Sequence, residues 1–258
     1  MASYQAQRQA DHFKKIAHEY SYVRQHLLVT KIYYEYWTAS MLKYLNPAAE
    51  LRVLDTMCGS GELLHDAPAN KWHIFCNDLS IDILQCADAS DNHFTYVCAD
   101  SSQLPFAENS FDAVLVRGGL HHFPEYEKLI GEFYRILKPG GMFICSEPTD
   151  DFPFYRLLRT ILYRSMDMFD AETEQALKTS EFRHHLNSVG FKLKELARFG
   201  FLGYLVIGQT DVLKIFQALR YIPGNQYIAK GLILIDRICA RLPLINWFSL
   251  AFTACAVK

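Results

Sequence analysis

The sequence predicts an α/β protein built on a doubly wound, mostly parallel sheet. Three observations carry that expectation. Between residues 50 and 148, five short runs rich in Val, Ile, Phe and Cys alternate with helical or turn segments. Each run is apolar on both faces, the pattern of a strand covered by helices above and below. The first run ends in a glycine turn from which a helix opens, the arrangement that right-handed strand–helix–strand crossovers require.

The elements follow in order. Residues 12–20 and 22–44 carry apolar side chains at mixed spacings of three and four, so residues 1–48 read as a helical cap, ended by Asn46-Pro47. The strands are expected at LRVLD (51–55), WHIFCND (72–78), HFTYVCAD (93–100), FDAVLVR (111–117) and GMFICSEP (141–148). Helices are expected at 61–68, 80–89 and 125–138. Beyond 149 the pattern is less regular. Residues 154–164 and 179–189 look helical, with Gly190 as a stop. The run 191–201 alternates like a strand, 210–241 is a long apolar helical stretch broken at Pro223-Gly224, and 246–258 reads as a final strand.

Composition narrows the function. The chain has 258 residues, 50% of them hydrophobic and 21% charged, which excludes a disordered chain and suits one large domain or a domain with a subdomain. Its formal net charge of −2 lacks the basic signature of a nucleic-acid binder, so no nucleic-acid partner is expected. The seven cysteines are scattered, without a CxxC pair, and read as small buried hydrophobes rather than disulfides or metal ligands. No metal is expected. The opening MASYQAQRQADHFKK has no apolar signal core, and no run of 18 apolar residues occurs. Both point to a cytoplasmic chain.

The most informative segment is Val53-Leu54-Asp55-Thr56-Met57-Cys58-Gly59-Ser60-Gly61. Glycine lets a turn take positive φ and lets a ligand approach without a Cβ clash. In open α/β sheets, ligands lie beyond the carboxyl ends of the strands. A dinucleotide fingerprint would place a third glycine at position 64, where Leu64 stands. An acid at the strand end also suits a cationic ligand better than a pyrophosphate, so a nicotinamide oxidoreductase is disfavoured. Asp78, at the end of the second run, could accept hydrogen bonds from a ribose diol; it could equally be a turn residue ahead of Ser80 as a helix cap. Asp100, followed by Ser101, could meet an exocyclic amine or serve as a turn residue.

Four stretches share one order and spacing: VLDTMCGSGELL, CNDLSIDILQCA, CADSSQLPFAENSFDAVLVRGGLHHF and LIGEFYRILKPGGMFICSEP. Over residues 50–148 the chain resembles the class I S-adenosylmethionine-dependent methyltransferases, within the group that includes quinone-biosynthesis enzymes. The start HFKKIAHEY also resembles that group's N-terminal helix. The resemblance implies a Rossmann-like, seven-stranded, doubly wound sheet with a helical cap (1–48) and a methyltransferase domain (49–258) carrying a helical insertion before the last strand. It implies S-adenosylmethionine as cofactor. Asp55 and Gly59 would hold its methionine part, Gly61 would open the helix, Asp78 would bind the ribose, and Leu79 would pack on the adenine. Asp100 and Ser101 would meet the adenine amine, the Arg117 carbonyl would face the methionine amine, and Tyr20 would close over the site. The family usually has glycine where Met57 stands, which puts the turn's backbone in question.

Methyl transfer from a sulfonium asks the protein chiefly to align the acceptor, worth about 7–11 kcal/mol. If the acceptor must lose a proton, His121 and His122 are the candidate bases, and His122 is favoured because neighbours seldom face the same way. They could instead cap a helix or line the pocket. The acceptor would be a small, lipophilic molecule methylated on oxygen or carbon, seated by residues 1–48 and 149–245. The basic segment FPFYRLLRTILYR fits peripheral contact with a membrane or an ordinary lid. The apolar stretch after it fits an acceptor pocket, membrane docking or a homodimer face. The competing reading is a protein that binds S-adenosylmethionine without transferring its methyl group.

Overall fold

The computed structural model describes residues 21–24, 26–65, 71–87, 93–155, 176–210 and 213–258. Its elements in chain order are α1 (Leu28–Leu42), β1 (Leu51–Thr56), α2 (Glu62–His65), β2 (Trp72–Asp78), α3 (Ile81–Leu84), β3 (Phe94–Cys98), β4 (Phe111–Arg117), α4 (Tyr126–Ile136), β5 (Leu137–Pro148), α5 (Thr179–Val189), β6 (Lys192–Phe199), α6 (Leu202–Val206), α7 (Asn225–Arg241) and β7 (Ala251–Val257). Short 3-10 segments cover Leu120–His122, Lys214–Tyr221 and Asn246–Phe248.

The strands form one seven-stranded sheet in the order β3-β2-β1-β4-β5-β7-β6. β1 to β5 run parallel. β7 lies antiparallel between β5 and β6. Alternate residues of each buried strand feed two cores. Val53, Ala113, Leu115 and Ile144 meet Val29, Tyr33, Trp37 and Met41 of α1 and Ala229 and Ile233 of α7 on one face. Leu54, Val114, Val116 and Phe143 meet Leu129, Ile130 and Phe133 of α4 and Phe182 and Leu186 of α5 on the other. Strands read as apolar on both sides are therefore covered on both sides.

Several boundaries differ from expectation for identifiable reasons. β5 begins at Leu137 rather than 141, because Leu137 pairs with Phe111 and the Gly140-Gly141 turn bonds to Lys258. β3 stops at Cys98, since Ala99 bonds back to Asp78 and Asp100 enters a turn. β6 ends at Phe199, before Gly200 at φ 75°. The last strand starts at Ala251, because residues 246–248 wind into a 3-10 turn. The apolar stretch within 210–241 is broken at Pro223-Gly224 as expected, with Gly224 at φ 74°, and its described first piece, Lys214–Tyr221, is 3-10 rather than α-helix. Gly190 does stop α5, at φ 108°.

The helix α6 was not expected. The carboxylate of Asp236, on α7, receives the N–H groups of Phe201, Gly203 and Tyr204 at 3.2, 2.7 and 3.1 Å. Those are the orphan donors of a helix start, and their acceptor comes from about thirty residues away, where no local pattern reveals it. Tyr33 on α1 donates its hydroxyl to the same carboxylate at 2.7 Å. The helical expectations over 12–20 and 156–164 lie outside the described residues. Among the described residues, no helix is long and apolar enough to cross a membrane.

Candidate active site

The C-terminal ends of β1, β2 and β4 open onto a cleft of about 780 Å³. The order β2-β1-β4 places the switch in chain direction between β1 and β4, where open α/β sheets bind ligands.

Asp55 sits at the floor, 1% exposed, and its Oδ2 has no hydrogen-bond partner among the described residues. Burial pushes its carboxyl up to about 8, against the pull of Arg117 and with some reinforcement from Glu62 and Asp78. A buried carboxyl oxygen without a partner costs free energy unless a ligand completes it. Arg117 lines the cleft with its side chain as well as its backbone. Its guanidinium lies 4.6 Å from the Tyr34 ring, donates to Thr38 at 3.1 Å and stands 3.9 Å from Glu62. α1 thereby roofs the end of β4.

Asp78 braces the glycine turn. Its Oδ2 accepts the Gly59 N–H at 2.9 Å and its Oδ1 accepts the Ser80 N–H at 3.0 Å. Burial raises it to about 6, offset by those N–H groups. Two carboxylate oxygens offer about four acceptor positions, so capacity for a diol remains. Ser80 also caps α3, accepting the Ile83 N–H, so both sequence readings of this corner coexist. Leu79 and Ser101 line the cleft. Asp100 stands outside the lining, its Oδ1 taken by the N–H and hydroxyl of Ser102.

The turn itself is strained at Met57, where the resemblance leads one to expect glycine. Met57 adopts φ 54°, the left-handed region that favours glycine. A side chain there costs roughly 1–2 kcal/mol. Gly119, across the cleft, makes room for it: a Cβ on Gly119 would fall 2.6 Å from Met57 Sδ and 2.8 Å from its Cβ. Gly59 (φ 60°) lines the cleft, while Gly61 (φ 83°) packs beneath it against Tyr96.

The two histidines after β4 separate. His122 lines the cleft. His121 turns to Glu147, with Nδ1 2.9 Å from Oε2. The rings lie 4.1 Å apart. Glu147, fully buried at the end of β5, also accepts the N–H groups of Gly119 and Leu120 at 2.9 Å. Burial pushes it up to about 8, opposed by those N–H donors. One side chain thus fixes the loop that carries both histidines. Sequence reasoning missed Glu147, although an acid inside the apolar run FICSEP was the available signal. It also missed Asn77. That amide joins Thr56 and Ser101 through its Oδ1 at 2.8 and 2.9 Å and donates to Val97 and Ala99 at 3.1 and 2.9 Å. It knits three strand ends into one rigid rim. Tyr20 lies outside the described residues; nearby, Ser21 bonds Ser60 of the glycine turn at 2.8 Å.

An open sheet with a charged, glycine-edged cleft at its switch point defines a Rossmann-like nucleotide-binding protein. An unpartnered buried carboxyl oxygen, a braced acid with spare acceptor capacity and a turn with glycine at its cleft-lining position 59 fit a ligand bearing both a cation and a diol. Comparison with known proteins sharpens this. A methyltransferase-domain family model matches residues 54–145. The demethylmenaquinone methyltransferase of Staphylococcus epidermidis is 29% identical over 175 residues, covering 64% of this chain and 71% of that protein. The fold matches an S-adenosylmethionine-dependent methyltransferase of Archaeoglobus fulgidus, with TM-score 0.57 and 17% identity, over 87% of this chain and 94% of that one. It also matches the Haemonchus contortus phosphoethanolamine N-methyltransferase 2 solved with S-adenosyl-L-methionine. There the TM-score is 0.56 and the identity 20%, over 92% of this chain and 59% of that one. Over residues 54–145 the chain matches a methyltransferase domain, and its fold is shared with S-adenosylmethionine-dependent methyltransferases.

Proposed function

We propose that the chain methylates a small lipophilic acceptor, on oxygen or carbon, with an aromatic quinol as the leading class. The observation that carries the site assignment is Asp55: an acid held in the floor of the cleft with one oxygen unpartnered. The bound cofactor supplies a methyl group on a positively charged sulfur. Asp55 and the Gly59 turn bind its methionine end, and Asp78 accepts from its ribose hydroxyls. Leu79 and Ser101 face the base, with Asp100 beside them. The Arg117 carbonyl faces the amine while its guanidinium ties β4 to α1. Gly61 opens the following helix.

His122, which lines the cleft, would take the proton that the acceptor loses as it gains the methyl group. His121 and Glu147 position it by fixing the loop. Residues 1–48 act as a cap on a methyltransferase domain spanning 49–258. The relative from Staphylococcus epidermidis is a demethylmenaquinone methyltransferase, which supports a quinone-like acceptor. A cytoplasmic location, with the acceptor met at a membrane surface, goes with this reading.

The test is incubation with methyl-labelled S-adenosylmethionine and reduced quinone or lipid extracts. Label should appear in an organic-soluble product. Tight cofactor binding with no labelled product across such extracts would refute the assignment.

A further inference from the structure

The face of α7 turned away from the sheet has no covering element among the described residues. Asn225, Ala229, Ile233 and Asp236 point inward and are buried. On the opposite side, Tyr227, Leu234, Ile235 and Ile238 are exposed, with Leu234 at 57%. Tyr227 lies two turns before Leu234, and Leu234 and Ile235 lie four and three before Ile238, which aligns them in one stripe. Past the helix Leu244 and Trp247 are exposed as well, and the 3-10 segment that contacts α7 adds the exposed Ile215 and Tyr221. Single exposed apolar residues are ordinary, but a continuous patch of this kind marks an interaction surface.

Charge says what covers it. Residues 213–250 contain five basic side chains: Lys214, Arg220, Lys230, Arg237 and Arg241. All five are exposed. The single acid in that span, Asp236, is buried against α6. By helical phase, Lys230, Arg237 and Arg241 run along one border of the apolar stripe. In a chain with a net charge of −2, this segment is therefore greasy, and its exposed charges are all cationic. Two copies meeting through this face would bring like charges together, which disfavours a second copy. An amphipathic helix with this layout lies in the headgroup boundary, apolar stripe down and basic border against acidic lipid.

We propose that α7 and its flanking segments dock on an anionic lipid bilayer, without crossing it. The inference is independent of which acceptor the cleft takes.

The experiment is vesicle flotation of the full chain. It should float with vesicles containing roughly one-third phosphatidylglycerol, much less with pure phosphatidylcholine, and should be released by high salt. Leu234→Glu with Ile238→Glu, and separately Lys230→Glu with Arg241→Glu, should weaken partition about tenfold or more. All four sites are exposed, so the thermal midpoint and S-adenosylmethionine affinity should stay at wild-type levels. The proposal is overturned if the wild-type chain ignores anionic vesicles, if both double variants float like wild type, or if neutral vesicles bind equally well. Sedimentation analysis supplies a further check: a dimer dissolved by the Leu234→Glu pair would give the face to a second copy.

Discussion

Replacing Asp55 with Asn isolates what a buried, incompletely bonded acid contributes. Its carboxyl is raised to about 8 from an ordinary 3.8. At pH 7 roughly nine-tenths of it carries a proton in the ligand-free protein. A cation seated against it draws the carboxylate into its charged form, so binding S-adenosylmethionine should release close to one proton. Calorimetric titrations at pH 7 in two buffers of different ionisation enthalpy measure that number. Asp55→Asn should abolish most of the release and cost about 1.5–3 kcal/mol of affinity, the range for a hydrogen bond to a charged group. The same change should stabilise the ligand-free chain at alkaline pH. An acid whose folded value lies above its unfolded one favours the fold most below pH 4, and that advantage is lost as pH rises toward 8. From 3.8 to pH 7, at about 1.4 kcal/mol per pH unit, the ceiling on that loss is roughly 4 kcal/mol. The variant should therefore gain most over wild type near pH 9 and least near pH 5. Equal proton release by both proteins would refute the reasoning.

Other residues give further expectations. Asp78→Ala should weaken cofactor binding by more than about 1 kcal/mol and loosen the glycine turn it braces at Gly59; titration calorimetry reads the first effect. Gly119→Ala should destabilise the chain by roughly 1–3 kcal/mol, because the new methyl meets the Met57 Cβ near its backbone. Met57→Gly in the same chain should recover much of that loss in thermal unfolding. His122→Ala should lower turnover by about 10²–10⁴-fold at unchanged cofactor affinity if it takes the acceptor's proton. Glu147→Gln keeps the shape and removes the ionisation, so it should shift the pH profile of turnover while leaving cofactor affinity near wild type.

The sheet was legible because each strand carries its own signal. FDAVLVR and its companions are apolar throughout, which only a doubly covered strand needs, and the Asp55–Gly61 turn follows directly from chain chemistry. What escaped was supplied at a distance. α6 starts where it does because Asp236 caps it, more than thirty residues on. The loop of His121 and His122 is held by Glu147 on the neighbouring strand. Asn77 reads as an ordinary strand-end residue, yet its amide joins three strands. Such bonds depend on which strands become neighbours, and local periodicity is silent on that. Asp100 stood out in the sequence as a strand-end acid, but its carboxylate bonds Ser102 and lies outside the lining of the cleft.

The central claim is that the cofactor lies across the rim of β1 and β2, held by Asp55 and Asp78. A crystal structure with S-adenosylhomocysteine tests it most directly. The ribose hydroxyls should lie within hydrogen-bond distance of Asp78 and the amino group against Asp55 and the Arg117 carbonyl. A nucleotide bound elsewhere, with Asp55 Oδ2 still unpartnered, would contradict it.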